Sequence, residues 1–328
     1  MDRQVRRRGL LLAGTAFACG LHGAAALAQP GYPNRPLRLV VGAAPGGNVD
    51  LTARIVARRL GELLGQPVVV ENRVGAGGAI AFNAERQSAP DGYPLLLAPT
   101  GCATAVALNP SAGYDPVRDF TAIGGVSQFA YAIAVAAGAP WATLPELLAA
   151  ARTKPGAIGY GTGGIGSGQH LVAELLAAAA GVQWLHVPYK GGAAPVTDLV
   201  GGQIPMVVEI ESVLAPHVRA GRVRVLATTG AARSPLLPEV PTVAEAGVRD
   251  FAVQGWLGVL GPRGLAPEPV ARLAAALRQT LADAEVIAAI EKGGAVARSS
   301  TPEAFAALVE SDTRRWARVV REANIPVQ

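Results

Sequence analysis

Short apolar segments of strand length alternate with longer amphipathic segments over most of the 328-residue chain. The pattern is clear near the start, where LRLVVGA (37–43) and PVVVEN (67–72) flank the helical pattern of VDLTARIVARRLGELLG (49–65). Strands that are joined through helices pair in parallel and need helices on their faces. The alternation therefore predicts an α/β fold with mostly parallel sheets, and a chain of about 300 mature residues predicts two domains.

The later part of the chain continues this alternation. Further strand patterns lie at 93–99, 131–137, 157–160, 183–189, 204–210 and 223–228. Further helical patterns lie at 79–89, 144–154, 170–180, 192–200, 212–220, 267–282, 284–292 and 302–323. Thr143–Glu146 and Thr242–Glu245 have the spacing of capping boxes and predict helix starts.

The first 28 residues have the pattern of an export signal. Four arginines at positions 3, 6, 7 and 8 precede an apolar run at 10–21, and Ala26-Leu27-Ala28 has the A-x-A form of a cleavage site. We expect cleavage after Ala28, a mature chain from Gln29 and a periplasmic location. The pattern fits a basic Sec signal, and the paired arginines leave twin-arginine export open.

Composition excludes several classes of function. Removing residues 1–28, which hold four arginines and one aspartate, lowers the formal net charge from +5 to +2. Aromatic residues make up only 5% of the chain and form no basic–aromatic stripe, so nucleic acid is not an expected partner. The histidines lack metal-ligand spacing, and no nucleophile–base constellation is present. We therefore expect no metal, no cofactor and no catalytic residues.

Two glycine-rich segments have the same order of predicted elements. VVGAAPGGNVDLTARI (40–55) and GYGTGGIGSGQHL (159–171) each lead from a strand pattern through a glycine-rich loop into a helix. A helix start presents unpaired backbone N–H groups and the positive end of the helix dipole, which together favour an anion. The two loops therefore either enclose a small carboxylate or similar anion, or are both ordinary turns between strand and helix.

The residues around these glycines do not fit three more specific glycine motifs. Gly161, Gly163 and Gly166 fit the dinucleotide fingerprint G-x-G-x-x-G, but the next strand ends in Lys190-Gly191-Gly192, without the acidic residue that binds ribose. No lysine follows the glycines as in a P-loop. Ser167 lacks the flanking glycines of a hydrolase elbow.

Seven blocks along the mature chain match one known family in the same order. They are PGGNVDLTAR (45–54), VVENRVGAGGAIA (69–81), PDGYPLLLAPTG (90–101), YDPVRDFTAIG (114–124), GTGGIGSGQHLVAELL (161–176), HVPYKGGAAPVTDLVGGQI (186–204) and LPEVPTVAEAG (237–247). On these blocks, the chain resembles the Bug-type periplasmic solute receptors of tripartite tricarboxylate transporters over almost all of its mature length.

The resemblance implies a two-lobed α/β fold of the type II periplasmic-binding-protein class, with a mostly parallel sheet flanked by helices in each lobe and the ligand cleft between them. Lobe 1 would hold 30–130 and 254–328, and lobe 2 would hold 131–253. The implied function is a monomeric receptor, not an enzyme, that binds a small organic carboxylate and delivers it to membrane transporter subunits. The alternative is a co-receptor for a sensor kinase, or an exported enzyme or dinucleotide-binding protein on an α/β scaffold.

The resemblance also implies that backbone amides of the two loops hold the carboxylate. The first loop would contribute Pro45, Gly46, Gly47 and Asn48, and the second would contribute Gly163, Gly166, Ser167 and Gly168. The cleft between them would be lined by Gly75, Ala76, Thr100 and Gly101.

Two departures from the family pattern affect the expected ligand. Gly42-Ala43 stands where the family usually has Pro-Phe, so we expect a wider pocket at Ala43 and a bulkier ligand than a small dicarboxylate. Glu209 stands where aspartate is common, and we expect it to recognise a ligand amine or to repel a second carboxylate. Glu211 would share a face with Glu209 if the strand continues, and we interpret it as a surface or linker carboxylate.

Overall fold

The computed structural model describes residues 31–189, 193–322, 324–325 and 327. The export-signal prediction and Lys190–Gly192 lie outside the described residues. The strands are β1 (Leu37–Val41), β2 (Val68–Asn72), β3 (Pro94–Pro99), β4 (Phe120–Ala136), β5 (Gly159–Thr162), β6 (Leu185–Pro188), β7 (Met206–Ile210), β8 (Val223–Thr228), β9 (Gln254–Pro262) and β10 (Val296–Ala297).

The helices alternate with these strands. They are α1 (Asn48–Leu64), α2 (Ala79–Glu85), α3 (Gly101–Leu108), α4 (Leu144–Thr153), α5 (Gly168–Ala180), α6 (Ala193–Val200), α7 (Glu211–Arg219), α8 (Pro267–Thr280), α9 (Ala284–Lys292) and α10 (Pro302–Glu322), and a 3₁₀ turn at Ala76–Gly78 precedes α2. No helix among the described residues is both long enough and apolar enough to cross a membrane.

The sheet contains two groups of parallel strands that are joined by antiparallel strands. In one group β1 lies between β2 and β3, and in the other β5 lies between β6 and β7, with all four of these pairings parallel. The strands β4 and β9 run antiparallel to their neighbours and connect the groups in the order β2-β1-β3-β9-β4-β7-β5-β6. The structure confirms the predicted α/β class, but the sheet is mixed rather than mostly parallel: among the described strands four pairings are parallel and five are antiparallel.

The 17-residue strand β4 belongs to both groups. Residues 120–130 pair with β9, and residues 131–136 pair with β7 and β8. The sequence pattern predicted a strand only from position 131, because Gly124 and Gly125 interrupt the apolar pattern of the first half. A Cβ at Gly124 would lie 2.9 Å from the carbonyl oxygen of Ser300, so the close approach of that backbone requires glycine.

Apolar faces of the helices pack against the sheet and form the core. On α1 the residues Val56, Leu60 and Leu64 are buried at helical spacing, in one cluster with Leu39 and Leu97 of the sheet. Each such side chain contributes about 1.5–3 kcal/mol when it is removed from water. This burial fixes the carboxyl ends of β1, β3 and β5, from which the loops of the candidate site emerge.

Three sequence predictions differ from the structure. Strand β7 ends at Ile210 and α7 begins at Glu211, so Glu209 and Glu211 do not share a strand face. Glu211 is 3% exposed and is therefore not a surface carboxylate. Thr242 and Glu245 form the reciprocal hydrogen bonds of a capping box, but a series of turns follows instead of a helix. The turns reach Gly247, whose φ of +103° is incompatible with a right-handed helix.

Candidate functional site

A cavity of about 910 Å³ lies between α3, the 3₁₀ turn before α2 and the loop that joins β5 to α5. Five of the predicted site residues line it, and these are Ala76, Gly101, Gly166, Ser167 and Gly168. The cavity thus brings the second glycine-rich segment together with two segments that lie far from it in the sequence.

The second glycine loop, residues 163–167, is held by hydrogen bonds within the loop and to α5. The hydroxyl of Ser167 donates to the carbonyl of Gly164 (2.8 Å) and accepts from the amide of His170 (3.2 Å), so Ser167 is the N-cap of α5. Gly166 has a φ of +80°, which only glycine adopts without strain. These contacts fix the direction in which the chain enters the helix.

The start of α5 presents unpaired donors. Within the described part of the chain, the amides of Gly168 and Gln169 have no hydrogen-bond acceptor. Gly168 lines the cavity, so an amide donor and the positive end of the helix dipole lie at the cavity wall. A carboxylate oxygen is an acceptor suited to such a helix start.

Two stacked histidines lie against the second glycine loop, and one of them accepts a hydrogen bond from it. The rings of His170 and His186 are 3.9 Å apart, and the amide of Gly166 donates to Nδ1 of His170 (3.1 Å). The Nε2 atom of His186 is 2.7 Å from the hydroxyl of Thr162. Burial lowers the pKa of His186 to about 4, and burial together with the neighbouring His186 lowers the pKa of His170 to about 4. Both rings are therefore neutral at pH 7, which lets His170 accept the hydrogen bond from the loop.

The first glycine loop, residues 42–47, is held by Asp50 of α1. Asp50 is 2% exposed, and its carboxylate accepts from the amide of Gly46 (2.8 Å), from the side-chain amide of Asn72 (2.9 Å) and from two nitrogens of Arg54 (both 3.0 Å). Asn72 also donates to the carbonyl of Ala43 (3.0 Å). The hydrogen bond from Arg54, followed by that from Gly46, lowers the pKa of Asp50 to about 2.

The structure places the first loop outside the lining of the cavity. Pro45, Gly46 and Gly47 are exposed, and Asn48 is half-buried at the first position of α1. Ala43, where the sequence predicts a wider pocket, packs half-buried against the main core. The amides of the first three residues of α1 have no acceptor within the described ranges, so this loop also ends in unpaired donors.

The other predicted cleft residues support the two loops. A Cβ at Gly42 would lie 3.0 Å from Cα of Gly78, so the first loop and the 3₁₀ turn approach through glycine backbones. Gly75 precedes this turn with a φ of +139°. Thr100 is buried, its amide donates to the carbonyl of Trp256, and its hydroxyl accepts from the amide of Trp256. Gly163 is half-buried in the second loop and does not line the cavity.

Glu209 lies behind the start of α5. It is 1% exposed, and its Oε1 accepts from the side chain of Gln169 and from the amide of Ile210, both at 2.7 Å. Its second oxygen is buried and has no partner among the described residues. Burial raises the pKa of Glu209. The side chain is therefore next to the loop through Gln169, although it does not line the cavity.

Apart from Ala76 and Ser167, sequence reasoning missed the lining residues that carry side chains. One face of α3 contributes Thr104, Ala105 and Leu108, and Ile80 of α2 and Ile165 of the second loop complete the apolar part of the wall. The segment GCATAVAL is apolar on all sides, so it lacks the amphipathic stripe that would have predicted α3. The spacing of 104, 105 and 108 becomes informative only once a helix is known to be there.

Comparisons with known proteins identify the family. Residues 52–325 match the family model described as tripartite tricarboxylate transporter family receptor. The chain is 35% identical to BugT of Bordetella pertussis over 303 residues, which cover 92% of this chain and 93% of BugT.

The chain belongs to the tripartite tricarboxylate transporter family receptors.

Solved structures agree with this assignment. The periplasmic binding protein BugD is 34% identical, with a TM-score of 0.75 over 90% of this chain and 99% of BugD. A Rhodopseudomonas palustris protein solved with adipate is 33% identical, with a TM-score of 0.78 over 90% of this chain and 99% of that protein. The resemblance that was inferred from the seven sequence blocks is confirmed, and with it the periplasmic-binding-protein class of the fold. The relatives are solute-binding receptors of the periplasm.

In a tripartite tricarboxylate transporter family receptor, this cavity lining is suited to the reversible binding of an anion. The cavity wall includes Gly168, whose amide is an unpaired donor at the start of α5, and carries no ionisable side chain among its lining residues. A receptor needs such reversible binding groups, because donors that are fixed by a helix bind an anion without changing it. The stacked histidines hold the second loop through hydrogen bonds, and Asp50 holds the first loop in the same way.

Proposed function

We propose that this chain binds a small organic carboxylate between two lobes and delivers it, unchanged, to a tripartite tricarboxylate-type membrane transporter. Lobe 1 comprises 30–130 and 254–328, lobe 2 comprises 131–253, and the protein acts as a monomer in the periplasm. The export signal ends near Ala28. The adipate complex of the R. palustris relative supports the choice of a carboxylate.

One observation carries the proposal. The unpaired amide of Gly168 and the N-cap Ser167 lie at the wall of a cavity that has no charged lining side chain. A carboxylate gains hydrogen bonds and a favourable dipole interaction there. The positive end of the helix opposes a cation, and no carboxylate side chain lines the cavity to offset it, so an anion is the expected ligand.

The strand pairings support closure about the two crossing strands. Strand β4 changes partners between Ala130 and Tyr131, and β9 begins at Gln254, which pairs with Ala130. Two strands that cross at one level form a hinge about which lobes can rotate towards a ligand. We place the hinge at these positions.

A thermal-shift screen tests the proposal. Small carboxylates are compared with the matched primary amides, which keep the shape and remove the charge. A ligand at one hundred times its dissociation constant adds about 2.7 kcal/mol to the free energy of unfolding. We expect a shift with at least one carboxylate and none with its amide. Equal shifts with both, or no shift with any carboxylate, would contradict the proposal.

The delivery step needs a second measurement. Uptake of the labelled carboxylate is compared between cells with and without the receptor, and ligand recovered from the purified protein is analysed by mass spectrometry. We expect uptake to depend on the receptor and the recovered ligand to be unchanged. Normal uptake without the receptor would contradict the transport role, and a converted ligand would contradict binding without turnover.

A further inference from the structure

Part of the cavity wall is apolar, beside the polar side chains of Asn83, Thr104, Asn109, Ser111 and Ser167. Ile80 leaves 52% of its surface exposed and Ile165 leaves 56%, and both line the cavity. Ile80 belongs to α2, which follows the 3₁₀ turn, whereas Ile165 stands in the second glycine loop, next to the anion-binding helix start. Large exposed apolar side chains at a cavity mark a surface that a partner molecule covers.

Other lining residues extend this apolar surface. Leu108 of α3 lines the cavity, and a Cβ at Gly166 would lie 2.5 Å from its Cδ1 atom, so Leu108 packs directly beneath the second loop. Ala79 and Ala105 add small apolar side chains to the same wall. Because no lining residue is ionisable, a second charged group on the ligand would lose water in this part of the cavity without gaining a charged partner.

We propose that Ile80 and Ile165 form an apolar clamp that selects carboxylates with an aliphatic body. This inference rests on the proposed function. The carboxylate binds at the start of α5, and the hydrocarbon chain lies between the two isoleucines. The clamp favours longer aliphatic acids over compact, polar or polyhydroxylated acids, because only the former cover the exposed apolar surface of both isoleucines.

The test is a calorimetric titration of the mature protein with propanoate, butanoate, pentanoate and hexanoate, and with succinate and adipate. A fully buried methylene contributes about 0.8 kcal/mol, which corresponds to about a fourfold decrease in Kd. We expect Kd to fall about two- to fourfold with each added methylene in the wild type. In Ile80→Ser and Ile165→Ser that gain is expected to drop by half or more.

Matched controls separate the clamp from a general effect of surface polarity. Leu51 of α1 and Leu185 of β6 are 51% and 59% exposed and do not line the cavity. Leu51→Ser and Leu185→Ser should keep the wild-type dependence on chain length. Ile80→Leu and Ile165→Leu, which keep apolar bulk, should keep most of it as well.

Each outcome decides between the two proposals. A chain-length dependence that is lost only in the two serine variants of the clamp supports the inference. Carboxylate binding with no chain-length dependence, or a dependence that all variants share, overturns the clamp and leaves the receptor function standing. If no carboxylate binds at all, the proposed function fails and the clamp fails with it.

Discussion

At the scale of single residues, the first glycine loop depends on one carboxylate. Asp50 joins the backbone of Gly46, the side chain of Asn72 and the guanidinium of Arg54. Asn72 in turn holds the carbonyl of Ala43. Asp50 is nearly fully buried, and removing it leaves three donor groups without their acceptor. Because Gly46 is exposed and the Arg54 side chain is 51% exposed, water can replace part of the lost hydrogen bonding.

Asp50→Ala should therefore lower the free energy of unfolding by about 1–3 kcal/mol. Chemical denaturation measures the change, and Glu62→Ala is the control, because Glu62 pairs with Arg58 and Arg59 on the exposed side of the same helix. The control should cost less than about 1 kcal/mol. Equal losses in the two variants would show that Asp50 does not hold the loop.

The acid stability of the wild type should reflect the same residue. The pKa of Asp50 is about 2 in the folded protein, below its ordinary value near 4. The stabilisation is fully present above pH 4 and is lost as the pH falls through 2. The difference in stability between wild type and Asp50→Ala should therefore shrink over this range. A difference that stays constant down to pH 2 would contradict the assignment.

Gly47 tests whether the first loop takes part in binding. A Cβ at Gly47 would have its nearest neighbour at 3.6 Å, and its φ is −76°, so Gly47→Val should fold normally. A branched side chain there would block access to the unpaired amides at the start of α1 and should weaken carboxylate binding at least about tenfold. Gly138→Val, in a turn with equally open space, is the control. Wild-type affinity in a folded Gly47→Val would exclude the first loop from the site.

At the scale of elements, the helix start of α5 and the stacked histidines form one unit. The groups around the His170 ring are His186, the amide of Gly166 and, beyond His186, Tyr160, which stacks on His186 and donates to Glu174. Protonation of His170 would replace its acceptor nitrogen with a second donor. The hydrogen bond from the second loop would then be lost, so acid should loosen the loop.

The sign of this effect follows from the lowered pKa. His170 has a pKa of about 4 when folded, below the ordinary value of 6.5, so it stabilises the fold fully above pH 6.5 and loses that contribution as the pH falls to 4. The loss amounts to at most about 3 kcal/mol. Burial raises the pKa of Glu174, so this carboxylate favours the folded state more as the pH falls, opposite to His170. A variant at His170 is therefore needed to isolate the contribution of His170 to the pH dependence of stability.

Denaturation of wild type and His170→Gln at several pH values between 7 and 4 makes this comparison. We expect the wild type to lose more stability on acidification than His170→Gln, in which the amide oxygen keeps an acceptor for Gly166. His217→Gln, in α7, controls for the replacement of a histidine away from the loop. Parallel pH profiles for wild type and His170→Gln would contradict the role of His170.

Some elements and site residues could be predicted from the sequence, and others could not. Both glycine loops were found from sequence because a glycine-rich turn between strand and helix is a local pattern. Helix α3 and the first half of β4 were not found, because one is apolar all round and the other contains glycines that serve contacts with Ser300. The isoleucines of the clamp could not be assigned, since only the tertiary fold brings α2 to the second loop. The shared face of Glu209 and Glu211 was wrong because the strand ends between them.

At the scale of the whole molecule, two parallel groups of strands meet at β4 and β9, and the loops of the candidate site emerge at the carboxyl ends of the parallel strands. Open α/β sheets bind ligands at that edge, because helix starts converge there. Of the predicted site residues, Gly166, Ser167 and Gly168 of the second loop line one cavity together with Ala76 and Gly101, whereas Gly163 and the first loop do not. In our proposal, lobe closure on the ligand brings the first loop to the carboxylate.

A crystal structure of the mature protein with its tightest-binding carboxylate shows directly whether the start of α5 holds the ligand. We predict that a carboxylate oxygen lies at about 3 Å from the amide nitrogen of Gly168 or Gln169. The hydrocarbon body should contact Ile80 and Ile165. A carboxylate that binds elsewhere, with both of these amides bonded to water or to protein, would contradict carboxylate binding at the start of α5.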